Sequence, residues 1–499
     1  MADHWCGPFA TPLGDHLRAW PSWNNGSTMS ERPMSRRPEA LVDLSSPRRC
    51  HLVGVGGPGM SAIAMLLVRM GHTVAGSELK SSTVTRQLID AGVTVHADHS
   101  ASHVAGADVV VYSTAIAPDH VELVAARERS IPVRHRSGML ASICAIRRAV
   151  GVAGTHGKTT TTALLVHMLR AGGLDPSAII GAEVNGIGVG ALVGSGDILV
   201  IEADESDGTL DVLPFHGLVV TNADRDHLDY FGSLEAIQHS FSDAVARTSG
   251  PVVLNRGDVG SSPVVSRFEA EARVSTFGTD DDATMCVAGF SDTVTGLVVS
   301  LRGFGESVDA QVPLRGRHNA ENVAAATCMA VRLGVPFDVA AGAIRDFPGV
   351  ARRFTERGMH RGALLVDDYA HLPAEIAATL AAATSHPHRT GKLVAVFQPN
   401  RFHRVATMSD DYADCFASAH TVVITEIYAS GTEPIPGVSG IMVHDAVLRA
   451  HPDARVLWAP HRADVVSVVD GLLEPGDMCV SMGCGDIETF PDDLRASSS

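Results

Sequence analysis

The residues with the most to say about chemistry lie in a glycine turn that carries a lysine. Gly154-Thr155-His156-Gly157-Lys158-Thr159-Thr160 follows the apolar run Arg148-Ala-Val-Gly-Val-Ala153 and opens a stretch of helical periodicity, so the turn joins a strand to a helix. Glycines let backbone N–H groups approach phosphate oxygens, a lysine here supplies a cation to β- and γ-phosphates, and the hydroxyl after it reaches Mg²⁺. The turn is two residues shorter than the G-x-x-x-x-G-K-[ST] loop, with Val152 standing where the first glycine would be. The chain holds three lysines, Lys80, Lys158 and Lys392, and otherwise uses arginine. A lysine kept in this turn therefore points to a phosphate rather than to solubility.

A second glycine turn, Gly54-Val-Gly56-Gly57-Pro-Gly59, also lies between a strand and a helix, and Glu78 follows 24 residues beyond Gly54. By itself it fits a nicotinamide dinucleotide, but any pyrophosphate gains from the same N–H groups, UDP-sugars included. Glu202, at the end of an apolar run, and His227 are of the types that hold divalent cations, while Arg353, Arg401 and Arg404 suit anionic substrates. Plainer readings stand beside these. Glu202 and Asp204 fit solvated strand-end acids, His227 a loop histidine capped by Asp226, Asn319 a helix N-cap, and Arg401 and Arg404 surface arginines.

The elements that must position these groups alternate strand and helix, which implies parallel sheets, and 499 residues suggest about three domains. Residues 1–48 form an expected flexible tail, rich in Pro, Ser, Arg and Trp, with Met34 a candidate start; 49–149, 150–349 and 350–499 form three α/β units. Within the second, 265–314 predicts a small antiparallel insertion, and the breakers Phe347-Pro348-Gly349 predict a hinge over 347–353. A net charge of -17 argues against nucleic acid and anionic membranes as partners, and no apolar run reaches membrane length. Eight cysteines without paired spacing fit reduced thiols in a cytoplasmic protein and no zinc site.

The short phosphate turn resembles that of the Mur ligases, and further stretches resemble the alanine-adding branch of that family. They are His51-Leu-Val-Gly-Val-Gly-Gly-Pro-Gly-Met-Ser61, Glu202-Ala-Asp-Glu-Ser-Asp207, Thr221-Asn-Ala-Asp-Arg-Asp-His-Leu-Asp229, Gly316-Arg-His-Asn-Ala-Glu-Asn322, Ala351-Arg-Arg-Phe354, Asp367-Asp-Tyr-Ala-His371, Gln398-Pro-Asn-Arg-Phe-His-Arg404 and Glu426-Ile-Tyr-Ala429. The resemblance implies an N-terminal Rossmann-like UDP-binding domain, a central P-loop ATPase domain and a C-terminal Rossmann-like domain. It implies ATP- and Mg²⁺-dependent ligation of L-alanine to the lactyl carboxylate of UDP-N-acetylmuramate through an acyl phosphate. A homodimer is compatible with the resemblance, and oligomeric state stays open.

Residue by residue, it assigns Gly56, Gly57, Gly59, His99, Ser113, Thr114 and Tyr369 to the UDP substrate. Gly154 to Thr160, with Asn319, Asn322 and Arg353, go to ATP, and Thr159, Glu202 and His227 to metal. Lys158, His227, His371, Arg401 and Arg404 are the expected catalytic groups. Two departures stand out: the family's His-His-Pro is His371-Leu-Pro373, and its Gln-Pro-His-Arg is Gln398-Pro-Asn-Arg401. No lysine occurs between Lys158 and Lys392, so the carbamylated lysine of later ligases in the pathway has no counterpart. Within the ligase class, addition of a tripeptide instead of alanine is the nearest alternative.

Overall fold

The computed structural model describes residues 39–184, 188–204, 209–226 and 228–497. Three sheets divide them. The first is five-stranded and parallel, in the order Thr94–His96, Thr73–Ser77, Arg49–Val53, Val109–Tyr112, Val133–His135. The chain winds to one side of Arg49–Val53 and then crosses to the other. That reversal opens a crevice at the carboxyl ends of Arg49–Val53 and Val109–Tyr112, where ligands bind in open α/β sheets.

The central sheet has ten strands, and Arg148–Ala153 lies between Ile198–Glu202 and Gly217–Val220, parallel to both. These strands read as unbroken apolar runs because helices cover both faces. The register sets Val152 beside Glu202 and Ala153 beside Val220, so the turns after three adjacent strands meet at one edge. The helix Lys158–Ala171 leaves that edge and packs on Arg317–Arg332. Leu164, Leu165, Val166 and Leu169 are fully buried there, each contributing about 1.5–3 kcal/mol.

The expected insertion over 265–314 is not separate. Ser262–Phe268 is helical, Val274–Gly278 extends the parallel sheet, and Met285–Thr293, Gly296–Gly303 and Glu306–Val312 continue it as an antiparallel meander.

The third sheet runs Thr355–His360, Ala363–Asp368, Met478–Met482, Leu393–Phe397, Thr421–Ile424, Val456–Trp458, parallel except for its first strand. Between the second and third sheets the backbone takes positive φ at Gly349 (82°), Arg352 (58°) and Phe354 (52°). Such angles cost a residue with a Cβ about 1–3 kcal/mol and need outside support. Asp367 and the Gly483 carbonyl accept from Arg352 at 3.1 and 2.7 Å, and Asp368 accepts from the Phe354 N–H at 2.7 Å.

The tail expected over 1–48 is packed in its last part, while 1–38 lie outside the described residues. Leu44 is buried, Glu39 accepts from the His135 N–H, and the Val42 N–H donates to Ser142. Among the described residues no helix is long and apolar enough to cross a membrane.

Candidate active site

At the edge of the central sheet Gly157 caps the helix Lys158–Ala171 with φ 77°, and Gly154 bends the preceding turn at φ 126°. A Cβ on Gly154 would strike the Thr221 hydroxyl, and one on Gly157 the Asn322 amide, so only glycine lets the turn lie this close to its neighbours. The Lys158 ammonium donates to the carbonyls of Gly154 (2.7 Å) and Thr155 (3.2 Å) and so stands over the turn. The Thr159 hydroxyl donates to Glu202 at 2.8 Å, and the other Glu202 oxygen accepts from the Gly181 N–H at 2.7 Å. A hydroxyl and a carboxylate at the end of the phosphate turn are the hard oxygen donors that Mg²⁺ takes. His227, the third expected metal-side residue, lies outside the described residues.

The plainer reading of Asn319 does not hold. Gly316, not Asn319, caps the helix Arg317–Arg332. Asn319 sits inside the first turn, where its amide donates to the Arg315 carbonyl at 2.8 Å and its oxygen accepts from Asn322 at 3.1 Å. Asn322 in turn accepts from the Thr161 hydroxyl. Both asparagines line a cavity of about 190 Å³ with His156, Gly157, Thr160 and Arg353.

The third sheet closes this cavity from the other side. Arg404 is buried rather than on the surface; it donates to Asp226 of the central unit at 2.9 Å and to Asn400 at 2.7 Å. Asn400 thus occupies the family's histidine position as a partner for Arg404. Leu372, at the other departure, is buried at the start of the helix Pro373–Thr384. Arg401 holds φ 59°, its N–H donating to the Tyr428 carbonyl at 2.9 Å. Burial drives the His371 imidazole to about 4, against the pull of Glu375, so it is neutral at physiological pH. Tyr369 lies under both hinge guanidiniums, Arg352 at 5.2 Å and Arg353 at 5.4 Å from its ring centre.

Four neighbours escaped the sequence reading. Asn222 accepts from the His156 N–H at 2.8 Å, and Asp224 lies 3.0 Å from the His156 ring. Asp368 lines the cavity, accepts from the N–H groups of Phe354 and Ala370, and is pushed by burial to about 6. Glu375 lies 3.3 Å from His156. The first two stand in the quoted Thr221-to-Asp229 motif and Asp368 in the Asp367-to-His371 motif; Glu375 had no signal beyond its place three residues into a helix.

In the first sheet the glycine turn carries the Glu78 carboxylate on the Gly56 N–H at 3.2 Å, and the Arg136 guanidinium stands beside Gly59. His99 lies 3.0 Å from the Ser77 hydroxyl, which donates to the buried Glu122 at 2.7 Å. Burial opposes charge on Glu122, but the hydrogen bonds from His51 and Ser77 outweigh it and hold the group near 2. Ser113 and Thr114 follow the strand Val109–Tyr112 directly, at the same crevice.

A lysine-bearing phosphate turn beside a cavity that a separate folded unit borders on its other side fits phosphoryl transfer shielded from water. The chain belongs to the Mur ligase family: the family's catalytic domain matches residues 49–148, its middle domain 152–330 and its glutamate ligase domain 352–485. The UDP-N-acetylmuramate--L-alanine ligase of Bradyrhizobium sp. (strain ORS 278) is 40% identical over 460 residues, covering 89% of this chain and 97% of that one. The protein of the same name from Anaeromyxobacter sp. (strain Fw109-5) is 40% identical over 450 residues, covering 89% and 96%. The crystal structure of the UDP-N-acetylmuramate-alanine ligase of Thermotoga maritima superposes with a TM-score of 0.69 at 26% identity, over 91% of this chain and all of that one. A murein peptide ligase of Psychrobacter arcticus shares the fold at 21% identity and a TM-score of 0.61.

Proposed function

We propose that the chain joins L-alanine to the lactyl carboxylate of UDP-N-acetylmuramate in the cytoplasm, consuming ATP and releasing ADP and phosphate. The observation that carries this reading is the phosphate turn at Lys158 joined to the third unit through His156 and Glu375, with Arg404 of that unit on Asp226 of the central one, in a chain 40% identical to ligases of that name. A carboxylate does not accept an amine at a useful rate because its oxygen is a poor leaving group. Phosphorylation by ATP gives an acyl phosphate, which the alanine amine attacks with loss of phosphate.

Each residue then has one task. Gly154 to Thr160 cradle the phosphates with Lys158 as cation, and Asn319, Asn322 and Arg353 border the nucleotide cavity. Gly56, Gly57, Gly59, His99, Ser113 and Thr114 hold the UDP end. Arg401 and Arg404 counter the charge of the two reacting anions, and neutral His371 is an acceptor or donor beside the acyl group without adding charge. Thr159 and Glu202, with His227, are the residues for Mg²⁺, which when bound supplies charge neutralisation at the transferring phosphoryl group.

The test is turnover of the purified protein with ATP, Mg²⁺, UDP-N-acetylmuramate and either L-alanine or a tripeptide, scored by product mass. The alanine adduct with ADP and phosphate supports the reading; AMP with pyrophosphate, or preference for the tripeptide, overturns it. Lactyl carboxylate labelled with ¹⁸O delivers one label to phosphate if the acyl phosphate forms.

A further inference from the structure

The catalytic reading leaves Glu375 without a task, although it touches both halves of the site. Its side chain is 13% exposed, close to its neighbours on every side. One oxygen lies 3.3 Å from Nδ1 of His156, inside the phosphate turn. The other accepts from the N–H groups of His371 at 3.0 Å and Leu372 at 3.2 Å, and lies 3.3 Å from the His371 ring. His156 is itself fixed at both ends. Its N–H is held by Asn222, its carbonyl accepts from Thr221 and Asn222, and its Nε2 lies 3.0 Å from Asp224. The imidazole is therefore a bridge between a carboxylate of the central unit and one of the third unit, the latter 219 residues from His156 along the chain.

We propose that Glu375 is a positioning residue that locks the phosphate turn to the His371 turn through a charged His156, so that the nucleotide and the acyl acceptor come into register only when the third unit is closed. The inference rests on the ligase reading above. A helix cap alone would account for the bonds to His371 and Leu372 but not for the contact to His156, which comes from another sheet. The protonation pattern agrees with the geometry. Burial opposes charge on His156, yet the hydrogen bonds and attraction of Asp224 and Glu375 lift it to about 9, while Glu375 is held well below the usual carboxylate range against its own burial. The other charged or titratable groups around the pair are His318 of the helix Arg317–Arg332, Arg353 of the hinge, Asp368 at the end of its strand, Tyr369, His371 and Tyr412. Beyond His371 stand Arg404 and Asp226. Burial leaves His371 neutral, so the proton of the bridge belongs to His156.

Two variants separate the lock from the cap. Glu375→Gln keeps one acceptor for the helix start but loses the charge; His156→Gln leaves the cap untouched and removes the bridge from the other side. Both should lower kcat on the order of 10²-fold, with the KM for ATP changed less than about threefold, as expected for lost positioning. Glu375→Gln should also shift the alkaline limb of the kcat profile to lower pH, whereas His156→Gln, with no imidazole to titrate, should lose that limb. Closure is read without turnover by small-angle scattering with a non-hydrolysable ATP analogue and UDP-N-acetylmuramate at pH 7.5 and pH 10. The unsubstituted protein should contract at the lower pH only, and His156→Gln at neither. If His156→Gln contracts and turns over like the unsubstituted protein, Glu375 is a helix cap and nothing more. Absence of the alanine product from the unsubstituted protein would sink the functional reading, whereas the scattering comparison judges the lock independently.

Discussion

At the scale of single residues the site depends on charges that contribute little to folding. The Lys158 ammonium rests on two carbonyls of its own turn, at 2.7 and 3.2 Å, so Lys158→Ala should abolish turnover while the thermal midpoint moves by no more than about 2 °C. Turnover retained in that variant would take the nucleotide away from this turn. Glu202 differs because it already organises the turn, receiving the Thr159 hydroxyl and the Gly181 N–H. Glu202→Ala should raise the Mg²⁺ concentration needed for half-maximal rate about tenfold or more, and an unchanged magnesium titration would reduce Glu202 to a structural acceptor. Lys158 and Thr159 were legible in the sequence because their whole logic lies within seven consecutive residues. Asp224, Asp226 and Glu375 were not, because their partners are 68, 178 and 219 residues distant, and those of Asp226 and Glu375 come from another unit.

At the scale of elements, buried strands such as Ile198–Glu202 and Leu393–Phe397 were legible because parallel strands covered on both faces are continuous apolar runs. Val274–Gly278 hid inside an expected antiparallel insertion because Val274-Ser-Thr-Phe-Gly mixes polar and apolar residues as a half-exposed strand does, and parallel pairing leaves no mark of its own. The segment 39–47 was passed over for a related reason: it packs without regular structure. Leu44 is 4% exposed, the Ala40 carbonyl accepts from Arg134, and Glu39 accepts from the His135 N–H at 3.2 Å. A chain beginning at residue 48 should therefore melt on the order of 5 °C below one beginning at 39, since a buried leucine alone is worth about 1.5–3 kcal/mol. Equal melting curves would make the segment an ornament on the first sheet.

At the scale of the whole molecule the decisive equilibrium is closure of the third unit, and its pH dependence follows from two imidazoles shifted in opposite directions. His156 is raised to about 9 in the closed form, by Asp224 and Glu375 working against burial. Asp224 belongs to the same unit as His156 and stays beside it when the third unit opens, so closure adds only the part due to Glu375, which is present at lower pH and lost as pH rises through 9. His371 is lowered to about 4, by burial first and by Arg404, so the open form takes up a proton below about 6.5 while the closed form refuses it until near 4. Closure weakens on that side as pH falls. Each group can supply at most about 1.4 kcal/mol per pH unit within its window. The contracted form should consequently be most populated between the two windows and decline toward 4 on one side and through 9 on the other when scattering is recorded with bound nucleotide. Glu375→Gln should flatten the alkaline side and leave the acid side, while His371→Asn should flatten the acid side and leave the alkaline one. A contraction independent of pH in the unsubstituted protein would mean that neither imidazole is coupled to domain movement, and that the Asp226–Arg404 pair holds the units together without them.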